Sequence, residues 1–213
     1  MRFTTIFFDL DDTLYPASTG LWGAIKERMT LYMHERMGIP MQDIPRLREA
    51  YYLEFGTTLR GLQANHGIDA QEYLAFVHDL PLDAYLRPEP GLREVINSLG
   101  TRNLVFTNAD AAHARRVLAV LGLEDCFESV VDVNAVAPYC KPMPESFRVA
   151  LQAAGEHEAR RCVMIDDLAR TTRAAREAGL FAVLYGQEGP HPDADAVLTD
   201  WRRLPALLDG STP

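Results

Sequence analysis

Residues 3–8, Phe-Thr-Thr-Ile-Phe-Phe, form an apolar and β-branched run that stops at Asp9-Leu10-Asp11-Asp12. Such a run, bounded by turn chemistry, reads as an interior strand of a parallel sheet, covered on both faces. The carboxyl end of a strand of this kind is where open parallel sheets place their ligands. Carboxylates clustered there repel one another and have raised pKa values unless a cation or hydrogen-bond donors offset them. A hard divalent metal such as Mg2+ meets that need, because it takes oxygen ligands and keeps several waters for phosphate chemistry. The plainer alternative is a capped turn with solvated acids, and the rest of the chain decides between the two.

Residues 17–85 show no strand pattern. A helix carries Leu21, Ile25, Met29 and Met33 at four-residue steps and ends at Gly38-Ile39-Pro40, and a second runs from Asp43 to Phe55. Residues 56–62, Gly-Thr-Thr-Leu-Arg-Gly-Leu, read as a turn, and Leu74, Phe76, Val77 and Leu80 mark another helical stretch closed by Pro81. From Arg87 onward helix and strand alternate. Strands are expected at 103–106, 129–131, 162–165, 181–185 and 196–198. Helices are expected at 92–99, 111–121, 144–154 and 201–208, with one more ending at Gly179. The fold class is α/β: a doubly wound, Rossmann-like parallel sheet built from residues 1–15 and 86–213, with an all-helical insertion over residues 16–85.

The net charge of −9 over 213 residues argues against a nucleic acid polymer as partner, since nothing offsets repulsion from a phosphate backbone. A small anionic substrate remains compatible if a metal and a few local cations carry the contact. Cys126, Cys140 and Cys162 form no C-x-x-C pair, so neither a disulfide framework nor a zinc site is expected. With no signal-peptide pattern and no membrane-length apolar run, a soluble cytoplasmic protein without membrane association is expected. Monomer and homodimer are equally compatible with the sequence. Of the 21 basic residues only Lys26 and Lys141 are lysines, so the position of each is informative.

Three expected strands end in reactive side chains: Asp9 and Asp11, then Thr107 and Asn108, then Asp166 and Asp167. In a parallel sheet with right-handed crossovers these ends share one edge. Lys141 precedes a helix start, where unpaired N–H groups and the dipole favour an anion. Together they describe a metal-assisted phosphoryl site. Asp9 can act as a carboxylate nucleophile. Asp11 can give a proton to the leaving alkoxide and take one from water, provided its neighbours raise its pKa. The candidate metal ligands are Asp9, Asp11 through its carbonyl, Asp167 and the adjacent Asp166. Lys141, Thr107 and Asn108 are the candidate phosphate contacts. Asp12 reads as a turn residue, and Arg170, Arg173 and Arg176 as a solvated helix face.

With these residues in order, the chain resembles a haloacid dehalogenase superfamily phosphatase. The family's D-x-D-x-T motif is matched by Asp9 to Thr13, its Ser/Thr after the second core strand by Thr107, its lysine by Lys141 and its acidic pair by Asp166-Asp167. The resemblance implies a Rossmann-like core, a Mg2+ cofactor, an aspartyl-phosphate intermediate and a helical cap at residues 16–85. The segments 9–16, 51–62 and 106–109 are similar to the pyrimidine 5′-nucleotidase branch, which implies nucleoside monophosphates such as UMP and CMP as substrates. Thr171 departs from the Asn or Asp that the family often has there, which puts the orientation of Lys141 or of a metal-bound water in question.

Other readings of the same residues are a phosphatase for another small metabolite such as phosphoglycolate or a sugar phosphate, a phosphomutase, and a non-catalytic binding module. A dehalogenase is disfavoured because Asp11 supplies an acid/base that halide displacement does not need. Within the insertion, Thr58 or Arg60 of the glycine-bounded 56–62 segment is expected to face the substrate's leaving group.

Overall fold

A computed structural model of the chain describes residues 2–210. Its centre is a six-stranded sheet in the order β3-β2-β1-β4-β5-β6. The strands are β1 (Thr5–Phe8), β2 (Arg102–Phe106), β3 (Ser129–Val131), β4 (Cys162–Asp166), β5 (Phe181–Tyr185) and β6 (Ala196–Leu198). Every pairing is parallel. The opening strand lies between β2 and β4 with all four residues buried, as its unbroken apolar character predicts. Its alternation divides the core: Ile6 and Phe8 join Val105, Val163 and Ile165 on one face, and Phe7 joins Leu104, Phe106 and Met164 on the other.

Helices α1 (Leu21–Glu35), α2 (Ile44–Phe55), α3 (Thr58–His66) and α4 (Ala70–Val77) all fall between β1 and β2. They are followed by α5 (Pro90–Ser98), α6 (Ala111–Leu121), α7 (Pro144–Ala153), α8 (Ala169–Glu177) and α9 (Leu204–Leu208). The first half of α1 packs into the sheet's core through Leu21 and Ile25, whereas Tyr32, Met33, Ile44, Leu62 and Tyr73 form a separate cluster joined by Val133 and Cys140. No helix among the described residues is long and apolar enough to cross a membrane.

One expectation is corrected here: residues 56–62 are not a turn. Thr57 caps α3 by accepting the Arg60 N–H at 3.1 Å, and the helix continues through Gly61. Gly61 is there for space, because a Cβ at that position would stand 2.2 Å from Tyr51 Cγ of α2. Only Gly56, at φ +83°, makes the bend that the glycines had implied.

Candidate active site

The order of the sheet reverses between β1 and β4, and the crevice beyond their carboxyl ends holds the acids. Asp9 follows β1, its N–H donating to Ile165 O at 2.8 Å, so the first and third expected acid positions sit side by side. Carboxylate oxygens of Asp9, Asp166 and Asp167 lie within 4.8 Å of one another. Into this cluster runs Lys141, whose side chain is buried. Its Nζ donates to Asp9 Oδ1 at 2.6 Å, Asp166 Oδ2 at 2.8 Å and Phe106 O at 2.7 Å, which uses all three ammonium protons. The lysine's orientation is thus complete without residue 171, where the sequence departs from the family pattern.

Thr13 Oγ1 lies 3.2 Å from Asp9 Oδ2 and 3.4 Å from Asp167 Oδ1, so the fifth residue of the opening motif ties the two acids together. Asp12 makes this possible by adopting φ +59°, a left-handed conformation that Asp tolerates. Thr107 is buried against the cavity and accepts the Ala109 N–H at 3.0 Å. Asn108 has a second contact besides the one expected of it. Its carboxamide accepts from Lys141 N and donates to Lys141 O, both at 2.9 Å, so it clamps the lysine's backbone and keeps its second Nδ2 proton for the cavity it lines.

The electrostatics follow from one lysine facing three acids. Burial, reinforced by Asp166 and Asp167, drives the Asp9 carboxyl well above the carboxylate range against the pull of Lys141. Burial and Asp166 push Asp167 up to about 7. Burial alone would lower Lys141, but Asp166 and Asp9 outweigh it and hold the ammonium charged.

Asp11 differs from expectation in its pKa and not in where its carboxylate lies. Its carboxylate is not part of the cluster and turns the other way, accepting Tyr15 OH at 2.5 Å and facing His113 Nε2 at 3.3 Å, both at Oδ1. Burial acts to raise its pKa, but the hydrogen bonds of His113 and Tyr15 prevail and lower it, opposite to the elevation expected of a resident proton donor. Tyr15, pushed far up by burial and by Asp11, remains a donor.

The acids open into a cavity of about 530 Å³. Asp9, Asp11, Thr107, Lys141 and Asp167 line its floor, and Trp22, Met29, Tyr52, Thr58 and Tyr73 of the helical insertion line the rest. Arg60 does not reach it. Its guanidinium donates to Val133 O at 2.6 Å, Tyr139 O at 2.8 Å and Gln63 Oε1 at 2.7 Å, pinning α3 to the segment before Lys141. Arg170 also departs from the solvated face expected for it. It donates to Gly56 O at 2.7 Å and Tyr52 O at 3.1 Å and stacks 3.4 Å above the Tyr52 ring, joining α8 to α2. The residues that the sequence reading missed are Tyr15, His78, His113 and Arg170. Only Tyr15 had a signal, being four residues after Asp11 at the start of the turn.

Residues 3–179 match the family described as haloacid dehalogenase-like hydrolase. Phosphate metabolism protein 8 of Saccharomyces cerevisiae is 30% identical over 207 residues, 91% of this chain and 64% of that protein. A phosphatase of Mycobacterium tuberculosis is 28% identical over 153 residues, 72% of this chain and 66% of its own. In both cases the match takes in less than two thirds of the relative's length. Among solved structures, the HAD-hydrolase YfnB of Bacillus subtilis, bound to magnesium, aligns with a TM-score of 0.63 at 18% identity, covering 98% of this chain and 100% of that one. At that identity the likeness is one of fold.

Proposed function

The chain belongs to the haloacid dehalogenase-like hydrolase family, and on that premise we propose that it is a Mg2+-dependent phosphomonoester hydrolase acting on nucleoside 5′-monophosphates. The observation that carries this reading is the buried Lys141 ammonium held between Asp9 and Asp166 at the floor of the cavity.

The donor set fits the metal. Asp9, Asp166 and Asp167 outnumber Lys141, and a carboxyl raised to about 7 at Asp167 marks a cluster short of one cation. Carboxylate oxygens are the hard donors that Mg2+ takes. Asp9 and Asp167 would hold the ion, with Asp166 beside them already bonded to Lys141 and to the Leu168 N–H at 2.9 Å. Bound there, Mg2+ supplies charge neutralisation between an attacking carboxylate and an anionic phosphoryl group.

The chain's own residues then divide the work. Lys141 and Thr13 fix the Asp9 carboxylate in one orientation. Asp9 attacks phosphorus, an O–P bond forms, and the ester O–P bond breaks with its electron pair leaving on the alkoxide. Asp11 gives that alkoxide a proton and then takes one from the water that hydrolyses the aspartyl-phosphate, returning Asp9 and inorganic phosphate. Because the resting Asp11 pKa is lowered, the proton is acquired with the substrate, whose phosphate charge raises Asp11's proton affinity. Thr107 and Lys141 steady the phosphoryl oxygens.

In this reading residues 16–85 act as a cap over the core of residues 1–15 and 86–213, excluding water and receiving the leaving group. A cavity of about 530 Å³ holds far more than a phosphate. Trp22, Tyr52 and Tyr73 offer aromatic faces to a base and sugar, with Thr58 beside them. Phosphate release from UMP, CMP, phosphoglycolate and a sugar phosphate, with and without Mg2+, tests the reading. Mg2+-dependent release fastest from the nucleotides is expected. A preference for another ester overturns the substrate, formation of an isomeric phosphate makes the protein a mutase, and no release from any of them overturns hydrolysis.

A further inference from the structure

Beside the acid cluster lies a second buried set of titratable groups that the hydrolytic scheme leaves unused. His113, on the first turn of α6, has no side-chain exposure, and its Nε2 faces Asp11 Oδ1. Its Nδ1 is buried without a partner, so Nε2 is the ring nitrogen whose N–H is directed at Asp11. The ring stacks on that of His78, with centroids 4.0 Å apart and planes 17° from parallel. His78 belongs to the other part of the molecule, at the end of α4 in the helical insertion.

Asp110 holds the two imidazoles together. Its Oδ2 lies 2.6 Å from His78 Nδ1, and its Oδ1 accepts the His113 backbone N–H at 2.9 Å as the N-cap of α6. Burial works against ionisation of Asp110, but these hydrogen bonds prevail and hold it at about 2. Burial pushes His78 down, so a neutral His78 donates to an anionic Asp110. One turn further along α6, Arg116 donates to His78 O at 2.9 Å and Leu80 O at 2.6 Å, fastening the same end of the insertion.

We propose that His113 is a positioning residue for Asp11, and that His78 makes this positioning depend on the insertion being seated against α6. Tyr15 and His113 both bond Oδ1, which fixes the carboxylate's rotation and leaves Oδ2, without a side-chain partner, as the oxygen this cavity-lining acid can offer the departing group. Moving α4 away withdraws the His78 ring and exposes His113 to water, so Asp11 is correctly aimed only while the cavity is covered. The role rests on the reading of Asp11 as the group that protonates the leaving oxygen.

Two esters of nearly the same shape give the test. p-Nitrophenol leaves readily as an anion, whereas phenol needs its proton more. Single-turnover release of each from its phosphate is measured with Mg2+ in the wild type, Asp11→Asn, His113→Leu, His113→Gln and His78→Leu. Asp11→Asn is expected to slow phenol release by about 10²-fold or more, and p-nitrophenol release much less. His113→Leu is expected to slow phenol release about tenfold more than p-nitrophenol release, and His78→Leu to shift the ratio in the same direction by a smaller factor. His113→Gln, which keeps an N–H within reach, is expected to restore the wild-type ratio within about threefold. Equal losses on both esters in His113→Leu, or no loss on either, overturn the positioning role even if Asp11→Asn behaves as expected. An Asp11→Asn variant without leaving-group dependence overturns the role of Asp11 itself, and a wild type that turns over neither these esters nor the nucleotides overturns hydrolysis. If His113→Leu does not fold, as a melting curve will show, His113→Asn carries the comparison, since its shorter amide falls short of Asp11.

Discussion

Asp9 and Asp11 stand two residues apart on one turn, yet they occupy opposite environments. Asp9 faces Asp166 and Asp167 with one lysine among them, and burial raises its pKa. Asp11 faces only donors, a tyrosine hydroxyl and an imidazole, and its pKa is lowered in spite of the same burial. The left-handed Asp12 between Asp11 and Thr13 belongs to the turn that sends the two side chains different ways. What surrounds each carboxylate, and not its place in the sequence, sets the different properties of these neighbouring acids. The anionic side has three carboxylates against one lysine, while the histidine side offers Asp11 two hydrogen-bond donors.

Neutralising Asp9 has the largest expected effect. Asp9→Asn removes the proposed nucleophile and is expected to lower phosphate release by more than about 10³-fold. It also removes one of three crowded acids while Lys141 keeps Asp166 at 2.8 Å, so the melting temperature is expected to hold or rise. Steady-state turnover and a thermal melt on the same preparation check both halves. Retained turnover would remove Asp9 from the nucleophile's place, and a lower melting temperature would show that the acids are not in excess.

The legibility of the two sides differs for a physical reason. Asp9, Thr107 and Asp166 fall at the ends of apolar runs, and Lys141 stands before a proline-started helix, so strand periodicity and turn chemistry place them without knowledge of tertiary contacts. The sheet was legible for the same cause: each strand is short, apolar and bounded by glycine or polar residues. His78 and His113 meet only because the insertion folds back on α6, and nothing in either local sequence announces a ring stack. Arg170 shares this origin. Arginines three apart signal a solvated face unless another element lands on one of them, as α2 does here. Arg60 was misplaced because Gly61 counted as turn punctuation, when it is the contact that lets α3 approach Tyr51.

A smaller effect sharpens the charge difference. Asp167 titrates near 7 in the folded chain, against about 3.9 when unfolded. Between those values the folded state binds the extra proton, so stability falls as pH rises through the interval. In a chelator the melting temperature is expected to drop by about 3 °C or more between pH 5 and pH 8. Excess Mg2+ is expected to bind the folded state alone and to raise the melting temperature more at pH 8, where the acids are ionised, than at pH 5. Asp167→Asn is expected to flatten the chelator profile. A profile that rises over this range, or an Mg2+ increment independent of pH, would mean that the acid cluster is already neutralised by the protein.

The smallest effect expected concerns Thr171, the position where the family often has a carboxamide or carboxylate. Its side chain is buried beside the cluster, on the first turn of α8, and lines the cavity. An Asn there could act in two ways, by orienting Lys141 or by holding a metal-bound water. The first is closed, because Asp9, Asp166 and Phe106 O already take the three ammonium protons. Thr171→Asn is therefore expected to leave kcat within about threefold of wild type, and any gain is expected in the Mg2+ concentration giving half-maximal rate, where outer partners of a metal site act. A titration of rate against Mg2+ in both proteins separates these. A large change in kcat at saturating Mg2+ would mean that Lys141 is not yet in its working position, and the anionic side would then be no more complete in its lysine than in its metal.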